Sequence, residues 1–407
     1  MLNKKIFFLI IISFLLSITS CKKAEKEEKQ IDLTKFPNYI ENFQEIDYSF
    51  SDTELMTPFW KGNVIYNESV LLIDDGNKLT GKLQFIPLKI ISIKDFTLNK
   101  EYKEGIDFEV KDNIINSLPG STMPYLLYEN LTGQNIPEPY REVSSISNIQ
   151  TDYVLMGANI VYTESPFWYG NQVYVSYVYD VKDIDLSYYA NYDEKTLPNL
   201  MNKLKNEESV NIIAIGDSVL EGCSSSGHFN REPFMPNFME LTKKGLEDKY
   251  KAEINLNNIS VGGKTSAWGS SEEAIANINT SNPDVIFIHF GINDAGSGFS
   301  PNSYRDNIEL IILSAREANP NTEFIILTAF SPNDKAYDTS RLENYWDKIR
   351  EISERYSGVK VIDIWKVSRY MLKEKKYEDL TGNGINHVND YSSRIYLMSI
   401  LATLVEY

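Results

Sequence analysis

Five short apolar runs recur in the second half of the chain: Asn211 to Ile215, Ile254 to Ile259, Asp284 to Phe290, Glu323 to Thr328 and Val359 to Ile364. Between them apolar residues return at helical spacing, as in Ser303 to Ala318 and Arg341 to Tyr356, and a last helical stretch runs from Tyr391 to Val405. Strands alternating with helices predict a parallel sheet covered on both faces, an α/β fold. From Asp32 to Lys195 the texture differs. Short runs rich in Tyr, Phe, Ile and Val, such as Ser69 to Ile73, Leu83 to Ile86 and Val173 to Tyr179, are separated by turn signals such as Asp75-Gly76-Asn77 and Pro119-Gly120. That texture predicts an all-β sandwich of jelly-roll type. Val173 to Tyr179 is apolar throughout, so both its faces are expected to be covered. The polar stretch Leu197 to Glu208 predicts a linker. The expected organisation is a β-sandwich domain over 32–195, a linker over 196–210 and the α/β domain over 211–407.

One pattern occurs twice. Thr57-Pro58-Phe59-Trp60-Lys61-Gly62-Asn63 recurs as Ser165-Pro166-Phe167-Trp168-Tyr169-Gly170-Asn171, each copy followed by a strand-like run with a tyrosine, Tyr66 or Tyr174. Two copies do not make a repeat array. Either Trp60 and Trp168 fill the sandwich core from two equivalent turns, or they form an aromatic platform for sugar rings.

The amino-terminal end has its own pattern. Lys4 and Lys5 precede an apolar run from Ile6 to Leu16, then Ser17-Ile18-Thr19-Ser20 leads to Cys21. The run is short for a membrane span and reads as an export signal over 1–20. Small residues before Cys21 resemble the lipobox of bacterial lipoproteins, which implies acylation at Cys21 and anchoring in a bacterial cell envelope. Residues 21–31, charged and poor in apolar groups, read as a flexible tether. The formal net charge of −17 argues against nucleic acid as a partner and against a polybasic membrane patch. With Cys21 assigned to the anchor, Cys223 has no partner, so no structural disulfide is expected. Three scattered histidines give no metal motif, and no cofactor is expected.

In doubly wound sheets ligands bind beyond the carboxyl ends of the strands. Past the first strand comes Gly216-Asp217-Ser218. Around the second comes Asn258-Ile259-Ser260-Val261-Gly262-Gly263-Lys264-Thr265, and past the third Gly291-Ile292-Asn293-Asp294. Before the last helix comes Gly382-Asn383-Gly384-Ile385-Asn386-His387-Val388-Asn389-Asp390. One sheet edge would then hold a hydroxyl, a glycine backbone, a carboxamide and an imidazole. These groups suit acyl transfer. Ser218 is a nucleophile once His387 accepts its proton. The backbone N–H of Ser218, the N–H of Gly263 and the side-chain amide of Asn293 can surround an oxyanion.

These blocks, in this order, resemble those of the SGNH (GDSL-type) hydrolases, over roughly Asn211 to Tyr407. The resemblance implies a flavodoxin-like three-layer α/β/α domain and metal-free ester hydrolysis. The family usually has an aspartate three residues before the histidine. Here that position is Gly384, and Asn383 is the match if one residue is inserted. The local acid is therefore missing. Three options remain: a backbone carbonyl near Gly384 orients His387 in a Ser–His dyad, Asp379 or Asp390 folds in, or the enzyme is impaired. The dyad is favoured. The β region before an SGNH domain is similar to carbohydrate esterases of family 2, where dyads are known.

Around the site, Cys223 and His289 read as buried packing residues, His228 as a surface residue, and Trp268 as core or as a wall of the acyl pocket. The reading that follows is a lipid-anchored serine esterase removing acetyl groups from an acylated, neutral polysaccharide or oligosaccharide. The alternatives are a lipase, lysophospholipase or thioesterase, and a non-catalytic glycan-binding lipoprotein.

Overall fold

The computed structural model describes residues 39–41, 52–157 and 159–407; the signal-like segment 1–20, the tether 21–31 and Cys21 lie outside the described residues. The five apolar runs form one parallel sheet of Val210–Gly216, Ile254–Asn258, Val285–His289, Glu323–Leu327 and Val359–Ile362. Val210–Gly216 lies between Ile254–Asn258 and Val285–His289, with the other two strands following in chain order. This is the flavodoxin-like order, and its switch point falls at the end of the strand that leads to Ser218.

Alternate residues of each strand enter different cores, as a period of two requires. Ile213, Ile215, Ile286, Ile288, Phe324 and Ile326 pack beneath the helices Pro301–Ala318 and Thr339–Arg355. Ile212, Ala214, Phe287, Ile325 and Leu327 face the opposite way, in a cluster that continues into Phe59, Trp60, Val70 and Tyr177 of the β region. The helix Asp390–Leu404 lies in this shared core and is buried on every face. Its apolar residues meet both halves, and Asn389 caps its first turn by accepting from Ser392 N–H at 3.0 Å.

Among the described residues the β region has three sheets. In one, Val64–Leu71, Gln172–Tyr179, Pro87–Lys94 and Glu101–Tyr102 pair antiparallel in that order. Gln172–Tyr179 is buried at every position, as its unbroken apolar run predicts. A second sheet joins Phe108–Lys111, Ile114–Ser117, Leu79–Lys82, Ile73–Asp74 and Leu126–Leu127, and a small third one joins Ile160–Tyr162, Asp152–Met156 and Arg141–Glu142. Leu83 to Ile86, expected as a strand, is the irregular link between Leu79–Lys82 and Pro87–Lys94. Its apolar character comes from Leu83 and Phe85, which are buried in the shared core. The stretch expected as a linker contains the helix Pro198–Lys205, whose Leu200, Met201 and Leu204 are also buried in that core.

Each echoed segment holds a short 3-10 turn, Phe59–Lys61 in one and, two residues further along the pattern, Tyr169–Asn171 in the other, and each leads into one of two paired antiparallel strands. Trp60 and Trp168 are buried, with indole N–H groups donating to Ala190 O at 3.0 Å and Val161 O at 3.2 Å. Neither offers a face to solvent, so the aromatic platform is ruled out at these residues.

A polar bolt joins the β region to the loop before the last helix. Lys375 Nζ lies 2.7 Å from Glu68 Oε1 and 3.5 Å from Asp379 Oδ2, all three side chains being buried. It also donates to Ser69 O and Lys82 O, and Asp379 Oδ1 accepts from Leu71 N–H at 2.7 Å. Asn389 Nδ2 donates to Ser69 Oγ and Gln172 Oε1. Buried charges persist only when paired and hydrogen-bonded, as these are.

Candidate active site

The strand Val210–Gly216 ends where Asp217 takes an extended conformation and caps the short helix Ser218–Glu221 by accepting from Val219 N–H at 3.1 Å. This places Ser218 on the first turn, buried but at the sheet edge. Asp217 Oδ1 also lies 2.9 Å from His289 Nδ1, and His289 Nε2 lies 3.3 Å from Tyr396 Oη. His289 is thus a buried histidine, as expected, and it braces the turn that carries Ser218.

His387 comes from the far end of the chain and meets Ser218, with Nε2 2.8 Å from Oγ. The other ring nitrogen settles the question of the acid. Nδ1 lies 2.8 Å from Oε1 of Glu164, a residue of the β region. The ring is the donor to this carboxylate, which leaves Nε2 free to accept from Ser218. Asn383 Nδ2 donates to the same Glu164 oxygen at 3.0 Å, and Ser224 Oγ donates to Oε2 at 2.6 Å. The segment is held in place by Thr163 N–H to Asn383 O at 3.1 Å and by Arg231 Nη1 to Glu164 O at 2.7 Å.

The electrostatics agree with a charged acid beside a basic ring. Burial pushes the Glu164 carboxyl up, but the His387 ring and the hydrogen bonds from His387, Ser224 and Asn383 outweigh it and hold the group below its ordinary value. Burial pushes His387 down, and Glu164 more than offsets this, with lesser help from Asp217 and Glu221, so the imidazole is raised above its ordinary value.

None of the residues expected to orient His387 reaches Nδ1 in this arrangement. Asn383 Oδ1 is engaged by the N–H groups of Ile385, Asn386 and His387, which fold the loop; the side chain supports Glu164 rather than replacing it. The Gly384 carbonyl accepts from Asn333 Nδ2 at 3.0 Å, so it serves a different partner. Gly384 has φ +90°, and a Cβ there would come within 2.6 Å of Trp168 Nε1, so the β region packs directly on this backbone. Asp379 belongs to the buried bolt with Lys375. Asp390, pushed up to about 6 by burial, accepts from Ser226 N–H at 2.8 Å.

The oxyanion candidates surround the same turn. Val261 N–H donates to Gly216 O at 3.1 Å, which lays the second loop against the end of the strand that leads to Ser218. Gly263 follows with φ +75°, a conformation that glycine adopts without strain. A Cβ on the preceding Gly262 would lie 3.6 Å from Ser218 Cβ, so this loop runs beside Ser218. Asn293 Nδ2 donates to Lys264 O at 3.0 Å, which ties the third loop to the second and leaves one amide hydrogen for another acceptor. Asp294 is buried and accepts from Ser266 N–H and Oγ–H, and burial raises its carboxyl above the ordinary value.

Of the neighbouring residues, Cys223 is a thiol pushed up to about 12 by burial and by Glu221 and Glu164. It lies 3.9 Å from Nε2 of the exposed His228. Trp268 is half-buried and packs edge-on against Phe290, the contact expected of a core residue.

Residues 214–394 match the model of the GDSL-like Lipase/Acylhydrolase family. The chain carries a GDSL-like hydrolase domain. Among solved structures, a GDSL-lipase-like protein of Parabacteroides merdae is 18% identical with a TM-score of 0.42, covering 49% of this chain and 97% of that one. A two-domain esterase active on acetylated mannans, co-crystallised with mannopentaose, is 16% identical with a TM-score of 0.41, covering 52% of this chain and 53% of that one. An acetylxylan esterase of Geobacillus stearothermophilus is 18% identical with a TM-score of 0.39, covering 49% and 95%. Among curated proteins none matches. The GDSL-like domain contains Ser218 and His387, whereas Glu164 lies outside the matched residues. Sequence reasoning missed Glu164 because it searched for the acid near the histidine. The available signal was the echoed segment: the residue before the turn is apolar Met56 in one copy and Glu164 in the other.

Proposed function

We propose that this protein is a serine esterase that removes O-acetyl groups from carbohydrate, with Ser218, His387 and Glu164 acting as a triad. The observation that carries the reading is the continuous relay, 2.8 Å from Ser218 Oγ to His387 Nε2 and 2.8 Å from His387 Nδ1 to Glu164 Oε1. In the proposed cycle Ser218 attacks the ester carbonyl as its proton passes to Nε2. The imidazolium is stabilised by Glu164, which keeps its own charge. N–H groups of Ser218 and Gly263 and the Asn293 amide receive the oxyanion. His387 then gives the proton to the departing sugar oxygen, which leaves as a hydroxyl, and water releases acetate by the same route.

An acid held in place by four polar groups of its surroundings supports turnover over decay to a glycan-binding protein. A net charge of −17 favours a neutral glycan over an anionic one. The short apolar run before small residues and Cys21 supports export and lipid anchoring at Cys21 in a bacterial cell envelope. The test is acetate release from acetylated xylan and mannan, compared with nitrophenyl acetate and octanoate. Ser218→Ala is expected to lower the rate roughly 10⁴-fold or more. Full activity in that variant overturns the mechanism, and a preference for octanoate selects the lipase or thioesterase alternative.

A further inference from the structure

The relay leaves one buried side chain without an assigned task. Ser224 has φ +66°, a left-handed conformation that is disfavoured outside glycine. Strain of this kind persists where the surroundings enforce it, and it clusters at functional sites. Gly382 makes room for the side chain so placed: a Cβ on Gly382 would lie 2.5 Å from Ser224 Cβ and 3.2 Å from its Oγ.

The hydroxyl so placed has two neighbours. Ser224 Oγ lies 2.6 Å from Glu164 Oε2 and 3.3 Å from His387 Nδ1. Nδ1–H is directed to Glu164 Oε1 at 2.8 Å, so the serine proton belongs to Oε2 and its lone pairs face the ring N–H. Glu164 is then gripped at both oxygens, by His387 and Asn383 at Oε1 and by Ser224 at Oε2. A carboxylate held at one oxygen can swing about its terminal torsion, which is soft. Held at both, it presents a fixed plane to the imidazole.

We infer that Ser224 is a positioning residue of the triad, whose hydroxyl fixes the Glu164 carboxylate and through it the tautomer and orientation of His387. The inference rests on the esterase reading above. Its hydrogen bond also favours the charged carboxylate, so Ser224 helps to keep the imidazole basic.

Two variants separate positioning from simple folding. Ser224→Ala removes the hydroxyl and keeps the disfavoured backbone; Ser224→Gly removes the hydroxyl and relaxes it. Kinetics with nitrophenyl acetate across pH, with thermal melting of each protein, read both effects. The expected result is a kcat lower by about 10-fold or more in both variants with KM little changed, since a hydrogen bond to a charged group is lost. The acidic limb of the pH profile moves to lower pH in both, although their melting temperatures differ. Wild-type kcat and an unchanged pH profile in either folded variant overturn the inference. So do kcat losses that follow melting temperature, with alanine impaired and glycine restored. Failure of the esterase reading shows separately, as activity that survives Ser218→Ala.

Discussion

The two echoed segments have nearly the same sequence and each leads into one of two paired strands, yet their entrances differ. Before the first, Met56 ends a short helix and is buried in the shared apolar core. Before the second, Glu164 turns to His387 and carries the charge that the GDSL-like domain lacks in its own histidine loop. Phe59 with Trp60 and Phe167 with Trp168 pack edge-on in both copies, at 5.1 and 5.0 Å. The Phe-Trp pair is therefore a packing device in both copies, and one difference at its entrance sets a carboxylate beside His387 where the other copy sets an apolar side chain in the core. The residue that matters is set by what lies opposite the turn.

The sharpest challenge to this contrast is Glu164→Gln, which keeps the shape and an acceptor but removes the charge. Its kcat is expected to fall about 10²- to 10⁴-fold. Glu164 raises the imidazole, and activity requires the neutral ring, so the acidic limb of the rate profile is expected to move to lower pH in this variant. An unmoved limb would show that Glu164 does not act on His387. Next in size is the bolt beside the second turn. Lys375→Met leaves Glu68 and Asp379 buried without their cation and is expected to cost about 3–5 kcal/mol in denaturant unfolding. Asn383→Asp is a smaller and more pointed test. A local acid there would restore the usual family pattern, but Asn383 Nδ2 lies 3.0 Å from Glu164 Oε1, so a second carboxylate would repel the first. Activity at neutral pH is expected to fall about 10-fold rather than rise. The mildest is Met56→Leu, expected to cost less than about 1.5 kcal/mol with kcat unchanged, because that copy only fills space.

What could be read in advance follows the range of the interactions involved. Ser218, Gly263, Asn293 and His387 were legible because each follows a strand or precedes a helix that announces itself by periodicity, and a parallel sheet gathers such loops at one edge. The same logic placed the last helix, observed as Asp390–Leu404. Leu83 to Ile86 was misread because a short apolar run signals burial without fixing the backbone. Glu164 was out of reach for a deeper reason. It sits in a turn of the β region, and its pairing with His387 depends on how Val161 and Trp168 pack against Gly384. No spacing rule within either segment encodes that contact. Asp379 misled in the opposite sense: its nearness in sequence suggested a role on the ring, and burial beside Lys375 gives it another.

The seam at Gly384 sets a limit on how this chain can be divided. A fragment cut at the edges of the family match would keep serine and histidine and discard their counter-charge. It would also cut the buried helix Asp390–Leu404 after Arg394, removing most of it from the shared core. Exchanging either half would separate Glu164 from His387 even where each half kept its shape, so the proposed mechanism ties the two together as one unit.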